Sequence, residues 1–269
     1  MAEKKLMEKV VRKVLRSFPK VNMPDPFVPY PIPYPPLAKS RFEIFVHVAE
    51  RGNGPLGHVD LCIDGYVYSY GNYDERDLKL GGWIAEGVLI KAPREEYMLF
   101  CKNHYQKALH IYTIDVTDEQ MDAIHAYLNK ILEPTTQWQP TSEAVYYNPT
   151  FDRFEEMYVY FMAQQMDTVF YKFNRSKFMT YNGWTRNCLS FADHVAKVLR
   201  ERALRAKNMV FPAQYHKRLQ KLLKKNSPLI TNYEVYEKKL PWKQGSLYFL
   251  LQLFCVVELG LTGLKNFAL

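Results

Sequence analysis

The chain has 269 residues, of which 48% are hydrophobic, 24% charged and 15% aromatic, which excludes a disordered protein and leaves ample length to bury a core. Lysine and arginine exceed aspartate and glutamate by eight (36 against 28), and such an excess draws a protein toward anionic polymers. Because the basic residues concentrate at 1–20 and 197–225, we interpret them as solvated helix faces and expect no nucleic-acid partner.

The cysteines and the N-terminus indicate the compartment. The four cysteines, at positions 62, 101, 188 and 255, include no C-x-x-C pair and no histidine and cysteine cluster with zinc-site spacing. We therefore expect a reducing compartment, no disulfide framework, no metal and no cofactor. The N-terminus lacks the uninterrupted apolar run of a secretory signal, so we expect synthesis in the cytoplasm without a Sec signal.

Shifts in composition divide the sequence into three predicted parts. Residues 1–40 combine a basic amphipathic helix with a proline-rich arm, whose prolines exclude helix and deny donors to strands. Residues 41–200 carry strand and helix patterns and are predicted to form one compact α+β domain. Residues 201–269 are predicted to be a helical extension, basic at first and then apolar.

The apolar stretch 245–264 raises the question of a membrane. It has the length of a membrane span, but Gln252 and Glu258 interrupt it. Because a carboxylate inside a bilayer is costly, we favour a buried or interfacial helix. Membrane contact through this stretch stays an open alternative.

The predicted domain begins with strands and ends on a helix. Asp64-Gly65, between two β-rich runs, is the strongest hairpin signal in the chain. Thr117 and Gln120 form a capping box before a helix with an apolar stripe. The predicted strands are 42–49, 58–63, 66–70, 88–90 and 108–114, and the predicted helices are 117–132 and 188–199. We expect loops at 71–83 and 134–150 and make no assignment for 94–102. A helix is one possibility for 151–161, and a strand is one possibility for 170–173.

Alternation gives the two faces of strand 58–63 different chemistry. His58, Asp60 and Cys62 share one face, and apolar residues occupy the other. One apolar face and one face with histidine and aspartate are typical of a strand that floors a reactive cleft. Cys62 itself is interpreted as a core residue.

Cys188 stands in the first turn of a predicted amphipathic helix, directly after Asn187. A cysteine attacks as the thiolate, and an ordinary thiol with a pKa of about 8.5 is mostly protonated at neutral pH. An asparagine cap would leave amide groups and the positive end of the helix dipole at Cys188, where they favour an anion and can receive an oxyanion. This pattern predicts a nucleophile.

A base held by a rigid element is the remaining requirement. His58 opens a strand whose apolar face can fix it by sheet packing. His194 is six residues from Cys188 and nearly opposite it on the helix, so geometry excludes it. His47, one strand earlier, is the competitor to His58. The other histidines of the predicted domain, His110 and His125, are interpreted as structural.

A third group is expected to orient His58. Ser69, Tyr70 and Asn72 follow in the hairpin, and Asp60 lies on the same strand face as His58. A neighbour across the hairpin reaches the ring more naturally than a residue about 6.6 Å along the strand, at a rise of ~3.3 Å per residue. Tyr70 and Asn72 therefore rank slightly ahead of Asp60.

At these residues the chain resembles the circularly permuted NlpC/P60 branch of the papain-like superfamily. The segment Gly57 to Gly71 is similar to the first hairpin of that family, and Asn187-Cys188-Leu189-Ser190-Phe191 is similar to the start of its cysteine helix. The passage Ile114 to Gln120, from strand to helix, also resembles the family. The resemblance covers roughly residues 41–200 and implies an antiparallel sheet packed on the cysteine-bearing helix.

The resemblance also implies acyl-group chemistry through a thioester. Members cleave peptidoglycan stem peptides, remove amides or isopeptides (the PPPDE group) or transfer lipid acyl chains (the LRAT-like group), and some are toxins delivered by the type VI secretion apparatus. A protein without a signal peptide, with a basic surface and an apolar tail, suits delivery into a target cell, where an immunity protein would be its partner. A non-catalytic binding protein with a merely buried Cys188 is the alternative from a different class.

Overall fold

The computed structural model describes residues 35–48, 57–80, 83–102, 108–141, 146–148, 153–155 and 158–236. These residues form an α+β fold, which confirms the predicted class. The predicted basic helix, most of the proline-rich arm and the apolar stretch 245–264 lie outside these ranges.

One antiparallel sheet of eight strands organises the described chain. Its spatial order is β12-β6-β1-β2-β3-β5-β10-β7, and β4 pairs with β11 and β8 with β9 in two small separate sheets. The strands are β1 (Phe42–His47), β2 (His58–Ile63), β3 (Tyr66–Gly71), β4 (Ile84–Glu86), β5 (Val88–Pro93), β6 (Leu109–Ile114), β7 (Thr135–Trp138), β8 (Tyr146–Asn148), β9 (Arg153–Glu155), β10 (Val169–Phe173), β11 (Thr180–Asn182) and β12 (Ile230–Tyr236).

Helices cover both faces of the large sheet. One core cluster joins one sheet face to α2 (Asp118–Leu132), α4 (Cys188–Val198) and α5 (Pro212–Lys224). A second cluster joins the opposite face to α1 (Arg94–Phe100) and α3 (Tyr158–Gln165). Burial of each large apolar side chain contributes roughly 1.5–3 kcal/mol, so the central strands are held from both sides.

The β2 and β3 hairpin follows its sequence signal. Asp64 and Gly65 both have positive φ, at 46° and 79°, which a two-residue hairpin turn requires and which glycine adopts without strain. The pairing aligns Leu61 with Tyr68 and Ile63 with Tyr66. Continued by one residue, this register places Ser69 opposite Asp60.

A buried ion pair ties α1 to β1 behind the hairpin. Arg94 and Glu43 are both about 1% exposed, and the guanidinium donates to the two carboxylate oxygens at 2.6 and 3.1 Å. Arg94 also donates to the Pro36 carbonyl at 2.6 Å. Because two parallel bonds fix orientation as well as distance, α1 starts from a defined position beside β1.

Several predicted elements differ in the structure. The ambiguous segment 94–102 contains helix α1. The strand alternative for 170–173 is confirmed, because these residues belong to β10. The prediction of an uninterrupted loop at 134–150 is wrong, because it contains β7, a polar edge strand that pairs with β10, and β8. The helix alternative for 151–161 is only partly right, since β9 precedes α3 there.

The segment beyond residue 200 is more than helical. Helix α5 begins at Pro212, as the sequence break predicts, and its Tyr215 and Leu219 are fully buried in the core that contains α4. Strand β12 was not predicted and adds an edge to the main sheet next to β6. Within the described ranges, none of the helices has the length and apolarity that a membrane crossing requires.

Candidate active site

His58 lies at the first position of β2, at the end of the hairpin where the sheet meets α4. Gly57, with a φ of 82°, lets the chain turn into the strand just before it. The His58 side chain is 19% exposed, and the Asp60 side chain is fully buried. The His58 Nε2 atom lies 3.0 Å from Asp60 Oδ1, so the two residues form the buried charged centre of the site.

Asp60 accepts hydrogen bonds at both carboxylate oxygens. Oδ1 is bonded by Nε2 of His58 and by the Ser69 hydroxyl. Oδ2 accepts from the Tyr97 hydroxyl at 2.8 Å and lies 3.1 Å from Nε2 of His47. An ionised carboxylate only accepts, so both imidazoles donate to it.

Two hydroxyl groups complete the surroundings of the His58 ring. Ser69 Oγ lies 2.9 Å and Tyr73 Oη 3.1 Å from His58 Nε2, and the two oxygens are 2.5 Å apart. Since Ser69 donates to Asp60, Tyr73 donates to Ser69 in the consistent arrangement. This chain of bonds fixes the plane of the His58 ring.

Helix α4 presents Cys188 as its first residue. Asn187 is the N-cap, and its side chain accepts from the Ser190 amide at 3.1 Å while it donates to the Gly183 carbonyl at 2.8 Å. The cap predicted from the sequence is therefore confirmed. It leaves the amides of Cys188 and Leu189 without an acceptor inside the helix, directed toward its N-terminal end.

The His58 ring contacts the Cys188 thiol as well as Asp60. Burial lowers the pKa of His58, but the charge of Asp60, the charge of Cys188 and hydrogen bonds to both raise it, to about 10. Nε2 faces three oxygen atoms, which leaves Nδ1, on the other side of the ring, as the nitrogen available to the thiol. At neutral pH the imidazole is thus protonated between two acidic groups.

The pKa of the Asp60 carboxyl shifts in the opposite direction, downward. Burial raises its pKa, yet the neighbouring charge of His58 and hydrogen bonds from His47 and His58 lower it well below its usual range. Asp60 is therefore ionised in the folded protein at neutral pH. Its charge is balanced by the imidazolium of His58.

Aromatic residues enclose Cys188, which is 5% exposed. Burial raises the pKa of Tyr181, and the charges of Cys188 and Tyr70 add to the rise. The Tyr70 ring packs on Phe191 of α4 with ring centroids 6.1 Å apart. The sulfur therefore lies in a largely apolar enclosure, where electrostatic interactions are stronger than in water.

The sequence ranking of the third residue requires a correction. Among the described residues, the polar partners of the His58 ring are Asp60, Ser69, Tyr73 and Cys188. Tyr70 instead donates to the Phe178 carbonyl at 2.9 Å. Tyr70 belongs to the α4 face of the sheet because it has the opposite parity to Ser69.

Asn72, the other residue that the sequence ranked ahead of Asp60, follows the end of β3 and is partly buried. Asp60, ranked below it, makes the direct contact. A distance along the strand axis underestimates how far side chains two residues apart on one face can lean toward each other.

The other histidines and thiols agree with their predicted roles. His194 donates from Nδ1 to the Ser190 carbonyl, 2.6 Å away on the same helix. His125 is paired with Asp64 at 2.7 Å, and His110 lies 2.9 Å from the Tyr233 hydroxyl. Cys62 is 2% exposed, and burial raises the pKa of its thiol.

Two residues of the site, Tyr73 and Tyr97, were not predicted from the sequence, and His47 has a different place from the predicted one. The antiparallel register sets His47 directly opposite His58, and this pairing could have been anticipated from the two adjacent strands. Tyr97 arrives from α1, on the second face of the sheet. No local pattern in the sequence signals such a contact.

The described part of the chain contains no group of three or more histidine, cysteine or acidic side chains that could hold a metal ion. Comparison with known proteins returned no matching family model, no matching curated protein and no matching solved structure.

Proposed function

We propose that the protein is a cysteine hydrolase that cleaves an amide bond through a thioester intermediate. Cys188 is the nucleophile, His58 transfers the proton, and Asp60 orients the His58 ring and stabilises its protonated form. The observation that supports this function is that one imidazole ring contacts both the thiol at the start of a helix and a fully buried carboxylate. A nucleophile, a base and a group that orients the base are the three parts of such a mechanism.

The first half of the reaction forms the thioester. The Cys188 sulfur, as thiolate beside the His58 imidazolium, attacks the carbonyl carbon of the amide. When the tetrahedral intermediate collapses, the carbon–nitrogen bond breaks and His58 gives its Nδ1 proton to the departing amine. The amine leaves, and the acyl group stays on sulfur.

The second half uses water. Neutral His58 takes a proton from water as the oxygen attacks the thioester carbonyl, and collapse releases the carboxylic acid and restores the thiolate and the imidazolium. One amide and one water thus give one acid and one amine. During both attacks the amides of Cys188 and Leu189 are placed to receive the oxyanion at the positive end of α4.

An inert core cysteine is the competing interpretation, because buried thiols are commonly unreactive. Cys62 has that character, in a core of apolar neighbours. Cys188 differs in its immediate partner. Its neighbour is the His58 imidazole, which the buried Asp60 carboxylate keeps protonated, and a cation beside a thiol favours the thiolate form.

The resemblance described above favours a peptidoglycan stem peptide as substrate and the role of an effector delivered into a rival cell, with an immunity protein as its partner. This choice rests on similarity of short motifs. An isopeptide substrate, as in the PPPDE group, would use the same chemistry.

A lipid acyl substrate is the second candidate, and one structural feature favours it. Trp184, 59% exposed, lies just before the N-cap and stacks on Trp83 with ring centroids 4.8 Å apart. A Cβ atom on Gly183 would lie 2.2 Å from the Trp83 ring, so glycine is needed for this packing. An exposed aromatic surface four residues before Cys188 in the chain suits an apolar substrate.

The test is a two-arm assay with the full-length protein. We expect release of new amino groups from purified wall sacculi and no acyl transfer from labelled phospholipid vesicles, and we expect Cys188→Ala to abolish the release. Cys62→Ala, which removes a thiol elsewhere in the sheet, is the matched control and should retain it. Transfer from phospholipid with intact sacculi would favour the second candidate, and equal activity of wild type and Cys188→Ala in either arm would refute both.

A further inference from the structure

We propose that His47 and Tyr97 are positioning residues of the reaction, which hold the Asp60 carboxylate so that the proton between Asp60 and His58 stays on His58. The inference rests on the proposed function, because it concerns the protonation of the same site. Each of the two residues acts through one oxygen of Asp60.

Two different elements bring these residues to Asp60. His47 ends β1 and lies directly opposite His58 in the antiparallel register, with the two ring centroids 6.4 Å apart. Tyr97 lies one turn after Arg94 on α1, whose start is fixed by the buried pair with Glu43. His47 and Tyr97 are each 2% exposed, so both bonds to Asp60 are shielded from water.

The two residues complete the hydrogen bonding of Asp60. A carboxylate offers about four lone-pair sites, and the structure fills them with His58 and Ser69 on Oδ1 and with His47 and Tyr97 on Oδ2. A buried charged group that lacks such partners loses the stabilisation that water would give. His47 and Tyr97 therefore supply half of the donors that keep this carboxylate charged.

These donors also decide where the shared proton lies. Each hydrogen bond to the ionised carboxylate makes that carboxylate a weaker base. With four donors Asp60 attracts the imidazolium without taking its proton. With donors missing from Oδ2, the neutral pair of carboxylic acid and imidazole gains population, and the positive charge beside Cys188 is lost. The thiolate then lacks its counter-ion, and attack slows.

The two histidines are paired in the register but differ in the groups that their ring nitrogens face. His58 is at the end of β2 next to α4 and has Nδ1 available for Cys188, whereas His47 has its Nε2 on the far oxygen of Asp60. In the proposed mechanism, therefore, only one of the two histidines is the base. One histidine acts on substrate, and the other acts on the carboxylate.

The test compares full-length variants that remove or restore one donor. Tyr97→Phe and His47→Phe remove a donor to Oδ2, His47→Gln restores an N–H donor, and Tyr215→Phe is the matched control. Tyr215 is also fully buried and donates one bond, at 2.7 Å, to the Leu204 carbonyl far from Asp60. The readouts are the rate at which iodoacetamide modifies Cys188 at pH 7 and the nitrogen chemical shifts of His58 in protein with labelled histidine.

We expect Tyr97→Phe and His47→Phe to slow modification of Cys188 about 3- to 10-fold, as the loss of one hydrogen bond with an ordinary net contribution implies. The His58 shifts should move toward neutral imidazole, and His47→Gln and Tyr215→Phe should stay within about twofold of the wild type. Wild-type rates and shifts in both phenylalanine variants would overturn the inference. If His47→Phe does not fold, Tyr97→Phe against Tyr215→Phe decides.

Failure of the inference is distinguishable from failure of the proposed function. If wild-type Cys188 is modified no faster than Cys62, the thiol has no activation and the function itself is refuted. If Cys188 is fast and depends on His58, but is indifferent to His47 and Tyr97, only the inference fails.

Discussion

Replacement of His58 by alanine is expected to lower kcat/KM for the amide substrate by about 10²- to 10⁴-fold, the range for loss of a general acid and base. The variant loses both the counter-ion of the thiolate and the donor to the leaving amine. His58 interacts with Cys188, whereas His194 on the same helix bonds to the Ser190 carbonyl and His47 bonds to Asp60. The initial rate of amine release, at several substrate concentrations, measures the effect.

His125→Ala is the control for this prediction. His125 is also hydrogen-bonded to an aspartate, at 2.7 Å from Asp64, but on the exposed face of α2. We expect its activity within about twofold of the wild type, because exposed pairs contribute little. A His58→Ala protein that keeps more than about a tenth of wild-type activity would remove His58 from the mechanism.

Asp60→Asn is expected to destabilise the fold and to disable the site together. Removal of one partner from a buried ion pair costs about 3–5 kcal/mol, and the amide can no longer accept from all four donors. The His58 ring loses its counter-ion and its fixed orientation. Denaturant unfolding of wild type and variant measures the loss of stability, and amine release measures the loss of activity.

The pH dependence of stability gives this prediction a signed test. His58 has a pKa of about 10 in the folded protein against about 6.5 when unfolded, so its stabilisation is complete below about 6.5 and is lost as pH rises through 10. In Asp60→Asn the larger of the two charges that raise this pKa is gone, and burial, the largest single cause, still lowers it. Wild-type stability should therefore fall between these pH values, and the variant should lack that fall.

Tyr70→Phe is the comparison variant, because the sequence ranked Tyr70 ahead of Asp60 as the residue that orients His58. The Tyr70 hydroxyl donates to a backbone carbonyl, so its removal should cost about 1 kcal/mol and leave the alkaline fall in stability in place. An alkaline fall that persists in Asp60→Asn, or one that disappears in Tyr70→Phe, would contradict the assignment of Asp60.

The elements nearest the candidate site could be predicted because local rules decide them. Asp64-Gly65 requires positive φ at both positions, Thr117 with Gln120 closes a capping box, and Asn187 caps the helix of Cys188. Period-2 alternation also placed His58 with Asp60. These features depend on residues within a few positions of one another.

Contacts between distant segments could not be predicted in the same way. Tyr97 reaches Asp60 only because Arg94 and Glu43 set the position of α1, and a single sequence does not show which helix face meets which strand. Alternation along the strand places Tyr70 on the opposite face of the sheet from Ser69, which pairs with Asp60 when the register of Leu61 with Tyr68 is continued. Tyr70 could therefore have been ranked below Asp60. The face of a strand on which a side chain lies therefore decides its partners more than the distance along the strand does.

The edges of the sheet were the other source of error. Strand β7 is polar, since an edge strand with solvent on one side needs little apolar surface, and its threonines, glutamine and tryptophan gave no alternation to detect. Strand β12 follows two basic helical segments, and its burial is confined largely to its ends. Both strands are specified by the partner strand they pair with.

The most direct test of the reactive pair is a map of iodoacetamide modification over the four cysteines at pH 7, in native and in unfolded protein. An ordinary thiol is only a few per cent thiolate at this pH. We predict that native Cys188 is modified first, at least about 10-fold faster than the same cysteine in the unfolded chain, despite its low exposure. A native Cys188 modified more slowly than in the unfolded chain would identify a passive buried thiol and contradict the pairing with His58.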